Sequence, residues 1–245
     1  MTNICALVGT AGGVGTTRLT YECAAVLAAT GRDVAVFDAA FDTQGLAAYI
    51  EGRLDADVTA LLTNEVKLET ALHDHQSALP GRISICPAAG PFERLARAKT
   101  AGAANRFEDH LAATALSHDV VLVDTPPVGA NQSIAAVNAA DHVGLVVSEG
   151  ARGEHALALA RERLADVGTS AATVIANRAD GGVPDADVHV PTTGTTDPTD
   201  CPTVLPLERG DKFTQTVVAV TEQLLGTSLA VEIEVESGIS RLLSR

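Results

Sequence analysis

The segment Gly9-Thr10-Ala11-Gly12-Gly13-Val14-Gly15-Thr16-Thr17 consists of glycine, threonine, alanine and one valine. It directly follows an apolar run, residues 4–8, and opens a helical pattern at Thr17. Strand, glycine loop and helix in that order form the context in which a chain holds phosphate. Glycines let the backbone turn tightly, so that successive N–H groups converge on one concavity. The positive end of the helix dipole adds to the attraction. The loop itself carries no lysine or arginine, and Arg18 is the first cation after it. Glycine-rich turns also join strands to helices with no ligand, and that plain reading stands beside the functional one.

The elements that must position this loop follow from periodicity. Short apolar runs alternate with longer helical patterns, the signature of βαβ units and a parallel sheet. Strands are expected at 4–8, 33–37, 83–86, 120–123, 142–147 and 173–176. Helical patterns cover 17–30 (ended by Gly31), 43–50, 58–73, 92–116 with a break near Gly102, 153–167 and 212–225. Residues 181–202 are rich in Gly, Pro, Thr and Asp and read as a long loop. Residues 203–205 are expected to add a last strand. The expected fold is a doubly wound, mostly parallel α/β sheet with helices on both faces. Residues 1–225 form one domain, and 226–245 a C-terminal tail.

The glycine segment resembles the deviant Walker A loop of the ParA/MinD family of P-loop ATPases, Lys-Gly-Gly-x-Gly-Lys-Thr/Ser. Gly12, Gly13, Val14, Gly15 and Thr17 match it. Ala11 stands where the family has its signature lysine, and Thr16 where it has the general Walker lysine. The likeness extends over nearly the whole chain. Residues 34–45 are similar to the second strand and switch I; Asp38 matches the first acidic residue there, and Ala40 replaces the second. His118-Asp-Val-Val-Leu-Val-Asp124-Thr-Pro-Pro127 is similar to the Walker B strand and the start of switch II. Asn177-Arg178 is similar to the family's Asn-Arg corner, whose Asn often reads adenine.

The resemblance implies ATP or ADP with Mg²⁺ as ligands. Gly9, Gly12, Gly13, Val14, Gly15, Thr16, Thr17, Arg18, Asn177 and Arg178 would contact the nucleotide. Thr17, Asp38 and Asp124 would hold the metal, partly through water, and the two aspartates would carry any catalysis. It also implies a nucleotide-dependent homodimer, which loss of the cross-subunit lysine at Ala11 weakens. Such a lysine acts much as an arginine finger, worth about 10³–10⁵ in kcat in related systems. Loss of both lysines and of the switch I carboxylate pushes hydrolysis toward negligible rates. Ground-state binding suffers less, because backbone N–H groups, Thr17 and Mg²⁺ remain. Arg18 either restores part of the charge or is a solvated surface residue.

Composition narrows the class. The chain has 245 residues, 46% of them hydrophobic and 3% aromatic, enough for a large core built from Ala, Val, Leu and Ile. Its formal charge is −14, from 31 acidic and 17 basic residues, and only three of the basic residues are lysines (Lys67, Lys99, Lys212). An acidic, lysine-poor surface fits a high-salt cytoplasm and repels phosphate backbones, which argues against sequence-independent DNA binding. Cys5, Cys23, Cys86 and Cys201 are too scattered for a zinc site or a disulfide framework. No apolar run is long enough for a membrane span. The chain enters a strand pattern too early for a signal peptide. It is therefore expected in the cytoplasm, peripherally attached to membrane at most.

Other candidates carry less. His73 and His75 fall on different sides of the helical pattern and read as surface histidines. Ser133 follows no nucleophile-elbow pattern. Residues 239–245 form a short amphipathic stretch that either touches membrane or docks on the domain's own surface. The expectation is a ParA/MinD-like switch or scaffold that positions division, partition or motility machinery through an unidentified protein partner, with weak or lost ATP hydrolysis. Two alternatives stay open. One is an active ATPase with a rearranged site; the other is a nucleotide-free interaction module acting through its acidic surface or the 181–202 loop. A dethiobiotin-synthetase-like enzyme of the same superfamily also needs the loop lysine, so Thr16 counts against it.

Overall fold

A computed structural model describes residues 4–75, 78–195 and 197–231. The expected residue types form the sheet. In chain order the strands are β1 (Ile4–Gly9), β2 (Asp33–Asp38), β3 (His73–His75), β4 (Arg82–Cys86), β5 (Val120–Thr125), β6 (His142–Val147), β7 (Thr173–Asn177) and β8 (Val188–Val190). They lie side by side as β3-β4-β2-β5-β1-β6-β7-β8. Every pairing is parallel except β3 with β4. The order reverses around β1, which is flanked by β5 and β6. In open α/β sheets the crevice beyond the carboxyl ends at such a point is where ligands bind.

Both faces are covered, and successive strand residues alternate between two apolar clusters. Ala6 and Val8, with Ala35 and Phe37, enter one cluster; Cys5 and Leu7, with Val34 and Val36, enter the other. Period-two alternation combined with burial on both faces makes the runs continuously apolar. Two helices, α1 (Thr16–Ala29) and α8 (Lys212–Leu225), cover the second cluster's face. The first cluster is covered by α5 (Ala101–Thr114) and α6 (Asn131–Ala139), with the helices α2, α4 and α7 described below. Phe107 reaches from α5 to Phe37 of β2, ring centroids 6.1 Å apart in an edge-on pair. Burying a side chain of this size contributes about 1.5–3 kcal/mol.

Several boundaries differ from the sequence expectation. Residues 58–73 divide into α2 (Val58–Leu62), α3 (Leu68–Ala71) and the start of β3. His73 and His75 therefore lie on an edge strand and not on a helix. They are half-buried, with His73 Nε2 2.7 Å from the Ala56 carbonyl and His75 Nε2 2.5 Å from the Tyr21 hydroxyl. The long helical region breaks at Thr100, whose hydroxyl caps α5 after α4 (Phe92–Ala98), and Gly102 lies inside α5. The 181–202 segment is not one loop, because it contains β8 and a 3-10 turn at Pro198–Asp200. Residues 203–205 form no strand. The helix α7 (Ala151–Asp166) begins two residues earlier than expected. All four cysteines are free. The amphipathic stretch at 239–245 lies outside the described residues.

Candidate nucleotide site

Between β1 and α1 the backbone takes left-handed values at Gly13 (φ 77°) and Gly15 (φ 88°). Gly15 caps α1 with no side-chain hydrogen bond, and the first turn carries no acidic residue. The first N–H groups of the helix thus lack a side-chain cap, the arrangement that suits an anion at a helix start. The loop is held from β7's end. Asn177 Nδ2 donates to the Val14 carbonyl at 2.8 Å, and Arg178 Nη1 to the Gly13 carbonyl at 3.2 Å. In a trans peptide the N–H points opposite to the preceding C=O. Pinning these two carbonyls therefore turns the N–H groups of Val14 and Gly15 away from the 177–178 corner. Gly15 has no alternative, since a Cβ there would lie 2.4 Å from Asn177 Nδ2.

The loop forms one wall of a cleft of about 660 Å³. Asp124 and Thr125, the last residues of β5, and the following Pro126-Pro127 line it too. Ala40, Thr43, Gly45 and Tyr49 also line it, as do Pro191–Thr193, Thr195 and Phe213. Register brings the two aspartates together, because β2 pairs with β5 so that Asp38 faces Asp124. Both are buried. Asp38 Oδ1 accepts from Ala40 N at 2.8 Å, and its Oδ2 from Leu46 N and Ala88 N at 3.3 and 3.4 Å. Burial pushes the Asp38 carboxyl above the usual carboxylate range, and these backbone donors oppose the rise. Burial also pushes Asp124 up, helped by the charge of Asp38 and opposed by the Thr17 hydroxyl.

Asp124 Oδ2 has no hydrogen-bond partner among the described residues. An orphaned, buried carboxylate oxygen beside a helix-start hydroxyl fits Mg²⁺, which takes oxygen ligands. Thr17 and Asp124 would hold that ion, with Asp38 behind them. Gly45 lets the neighbouring 3-10 turn (Gly45–Tyr49) close over this point, since a Cβ on it would stand 3.1 Å from Thr17 Oγ1.

A family model described as an AAA domain matches residues 2–166. The chain belongs to that family. No curated protein matches it by sequence. Among solved structures it is similar to the septum site-determining protein MinD of Pyrococcus horikoshii OT3 complexed with Mg-ADP. That pair is 18% identical with a TM-score of 0.77, covering 91% of this chain and 96% of the other. The MinC:MinD cell division complex of Aquifex aeolicus follows at 20% identity and 0.75, covering 94% and 98%. A ParA family ATPase of Chlorobium tepidum TLS gives 14% and 0.75, covering 90% and 99%. These likenesses establish the MinD/ParA type of P-loop fold.

In this AAA-domain chain the cleft gathers every residue expected at the nucleotide except Asp38, which lies one strand behind Asp124. Thr16 is nearly buried, and its hydroxyl folds over Gly9, where a Cβ would come within 2.6 Å of it. Ala11 is exposed at the loop's outer edge. Asn177 uses its amide nitrogen on the loop itself. Arg18 is not a solvated surface residue, because its side chain is 18% exposed and bonded to buried Glu22. Sequence reading missed Tyr49, Phe213 and the 191–195 wall, as well as Glu22. The available signal for Glu22 was a carboxylate set in the apolar run Tyr21–Val26 of α1.

Among the described residues no helix is long and apolar enough to cross a membrane.

Proposed function

We propose that the chain is a ParA/MinD-like nucleotide-binding switch or scaffold for spatial organisation of cell division, partition or motility machinery, with ATP hydrolysis weak or lost. One observation carries this reading. The cleft keeps the uncapped helix start, the glycine cradle and the orphaned Asp124 oxygen, yet among the described residues its lining cations are Arg18 and Arg178. Both are already bonded to protein groups.

Binding and turnover need different things from such a cleft. Ground-state phosphate is held by backbone N–H groups and the helix dipole. When bound, Mg²⁺ neutralises phosphate charge. Turnover further needs cations aimed at charge that develops in the transition state. Ala11 and Thr16 supply none. Relatives of this fold include a MinD complexed with Mg-ADP and a MinC:MinD cell division complex. A Mg-nucleotide ligand, a protein partner and a second copy of the chain fit that pattern. The expected location is the cytoplasm or the membrane surface.

Calorimetry with ATP, ADP and GTP in molar KCl and Mg²⁺, paired with phosphate release, tests the reading. Micromolar binding with negligible turnover supports it. Brisk turnover abolished by Asp124→Ala would replace it with an active ATPase. No binding at millimolar nucleotide would leave a partner-binding module.

A further inference from the structure

We infer that Arg18 is a positioning residue that builds the nucleoside wall of the cleft, and that it does not stand in for the missing phosphate-binding lysines. This deepens the nucleotide-binding reading and rests on it.

Three bonds define the role. Arg18 Nε donates to Glu22 Oε1 at 3.1 Å, Nη2 donates to the Thr203 hydroxyl at 2.8 Å, and Nη1 donates to the Thr195 carbonyl. The guanidinium carbon lies 5.8 Å from the centroid of the Phe213 ring, within cation–π range. All three nitrogens therefore face the 195–213 segment or its anchor. Glu22, fully buried in α1, takes the other half of the latch: it accepts from Thr203 N at 3.0 Å, Thr203 Oγ1 at 2.9 Å and Val204 N at 3.1 Å. A buried carboxylate with that many donors, one of them charged, is an anchor that is costly to break.

The latch matters because of what it joins. Arg18 and Glu22 lie in the first turns of the helix that carries Thr16 and Thr17. Thr195 and Phe213 line the cleft. This latch is a direct polar tie between the phosphate helix and that wall. Phosphate belongs at the helix start, so an apolar ring and the 191–195 backbone are left to face the nucleoside. Removing the latch frees the wall and leaves the cradle, which Asn177 and Arg178 hold separately.

Calorimetry in molar KCl and Mg²⁺ with two probes, ATP and inorganic tripolyphosphate, separates the roles. For Arg18→Ala the expected result is ATP binding weakened about tenfold or more, with tripolyphosphate unchanged within error. Glu22→Gln should show the same selectivity, although it leaves the Arg18 charge in place. Equal loss of both probes in Arg18→Ala would make Arg18 a phosphate ligand and overturn the inference. So would ATP binding that neither substitution weakens. If Arg18→Ala does not fold, judged by circular dichroism, Thr203→Val carries the prediction with a smaller loss of ATP alone. Wild type that binds tripolyphosphate but gains nothing from the nucleoside also overturns it. Wild type that binds neither probe removes the nucleotide reading itself.

Discussion

Two parts of the cleft lining are held by different chemistry. At the phosphate loop, shape survives without the two lysines: left-handed glycines, carbonyls pinned by Asn177 and Arg178, and an uncapped helix, with Ala11 and Thr16 in the lysines' places. At the 195–213 lining, charge is present but committed to protein groups, as Arg18 and Glu22 tie the wall to the phosphate helix. The comparison teaches that geometry and electrostatics of a site can separate. Backbone concavity depends on glycine conformation and a few local bonds, so it persists when the cations go. Catalysis depends on cations free to meet developing charge, and the Arg18 guanidinium is committed elsewhere.

That contrast can be broken from either side. The largest expected effect is gain of function: Ala11→Lys with Thr16→Lys should raise phosphate release by about 10³-fold or more. Unchanged release in a folded double variant would show that the cradle is not competent. Next comes Gly15→Ala, which forces a Cβ toward Asn177 at a left-handed position. It should lower stability by about 1–3 kcal/mol, read by chemical denaturation, and weaken nucleotide binding in parallel.

The aspartate pair gives a pH signature. Both carboxyls are raised in the folded state, mainly by burial, so the native protein holds more protons than the unfolded chain. That contribution is fully present below the ordinary Asp value of about 3.9 and is lost as pH rises through the raised folded values of the two carboxyls, that of Asp124 being the higher. Stability without Mg²⁺ should therefore fall across this window. Asp124→Asn should flatten the slope and stabilise the metal-free protein near neutral pH by about 1–3 kcal/mol. Added Mg²⁺ should stabilise the wild type increasingly as pH rises, and the variant hardly at all. A steeper slope in Asp124→Asn would contradict the assignment. The smallest effect is expected for Asn177→Ala, about 1–2 kcal/mol from the lost bonds to the Val14 carbonyl and from Arg178 N, seen as a modest fall in tripolyphosphate affinity.

Much of the fold was legible because local pattern and tertiary role agree. Apolar runs such as 120–123 are buried on both faces, and the glycine loop is locally encoded. What escaped had no local signal. Val188–Val190 is a three-residue edge strand inside a Gly/Pro/Thr-rich stretch, too short for periodicity to register. His73–His75 pairs antiparallel at the other edge, where the preceding helical rhythm runs on into it. Asp38 and Asp124 were found by their likeness to the family's acidic positions, but register alone set them opposite one another. Glu22 meets Thr203 across 181 residues of sequence, and no spacing rule reaches that far.

The most direct test of the central claim is Mg-ATP binding and phosphate release measured on one preparation in molar KCl. The account predicts saturable binding at micromolar concentration with release indistinguishable from background. Release that is readily measured and vanishes in Asp124→Ala, with Ala11 and Thr16 unchanged, would contradict it.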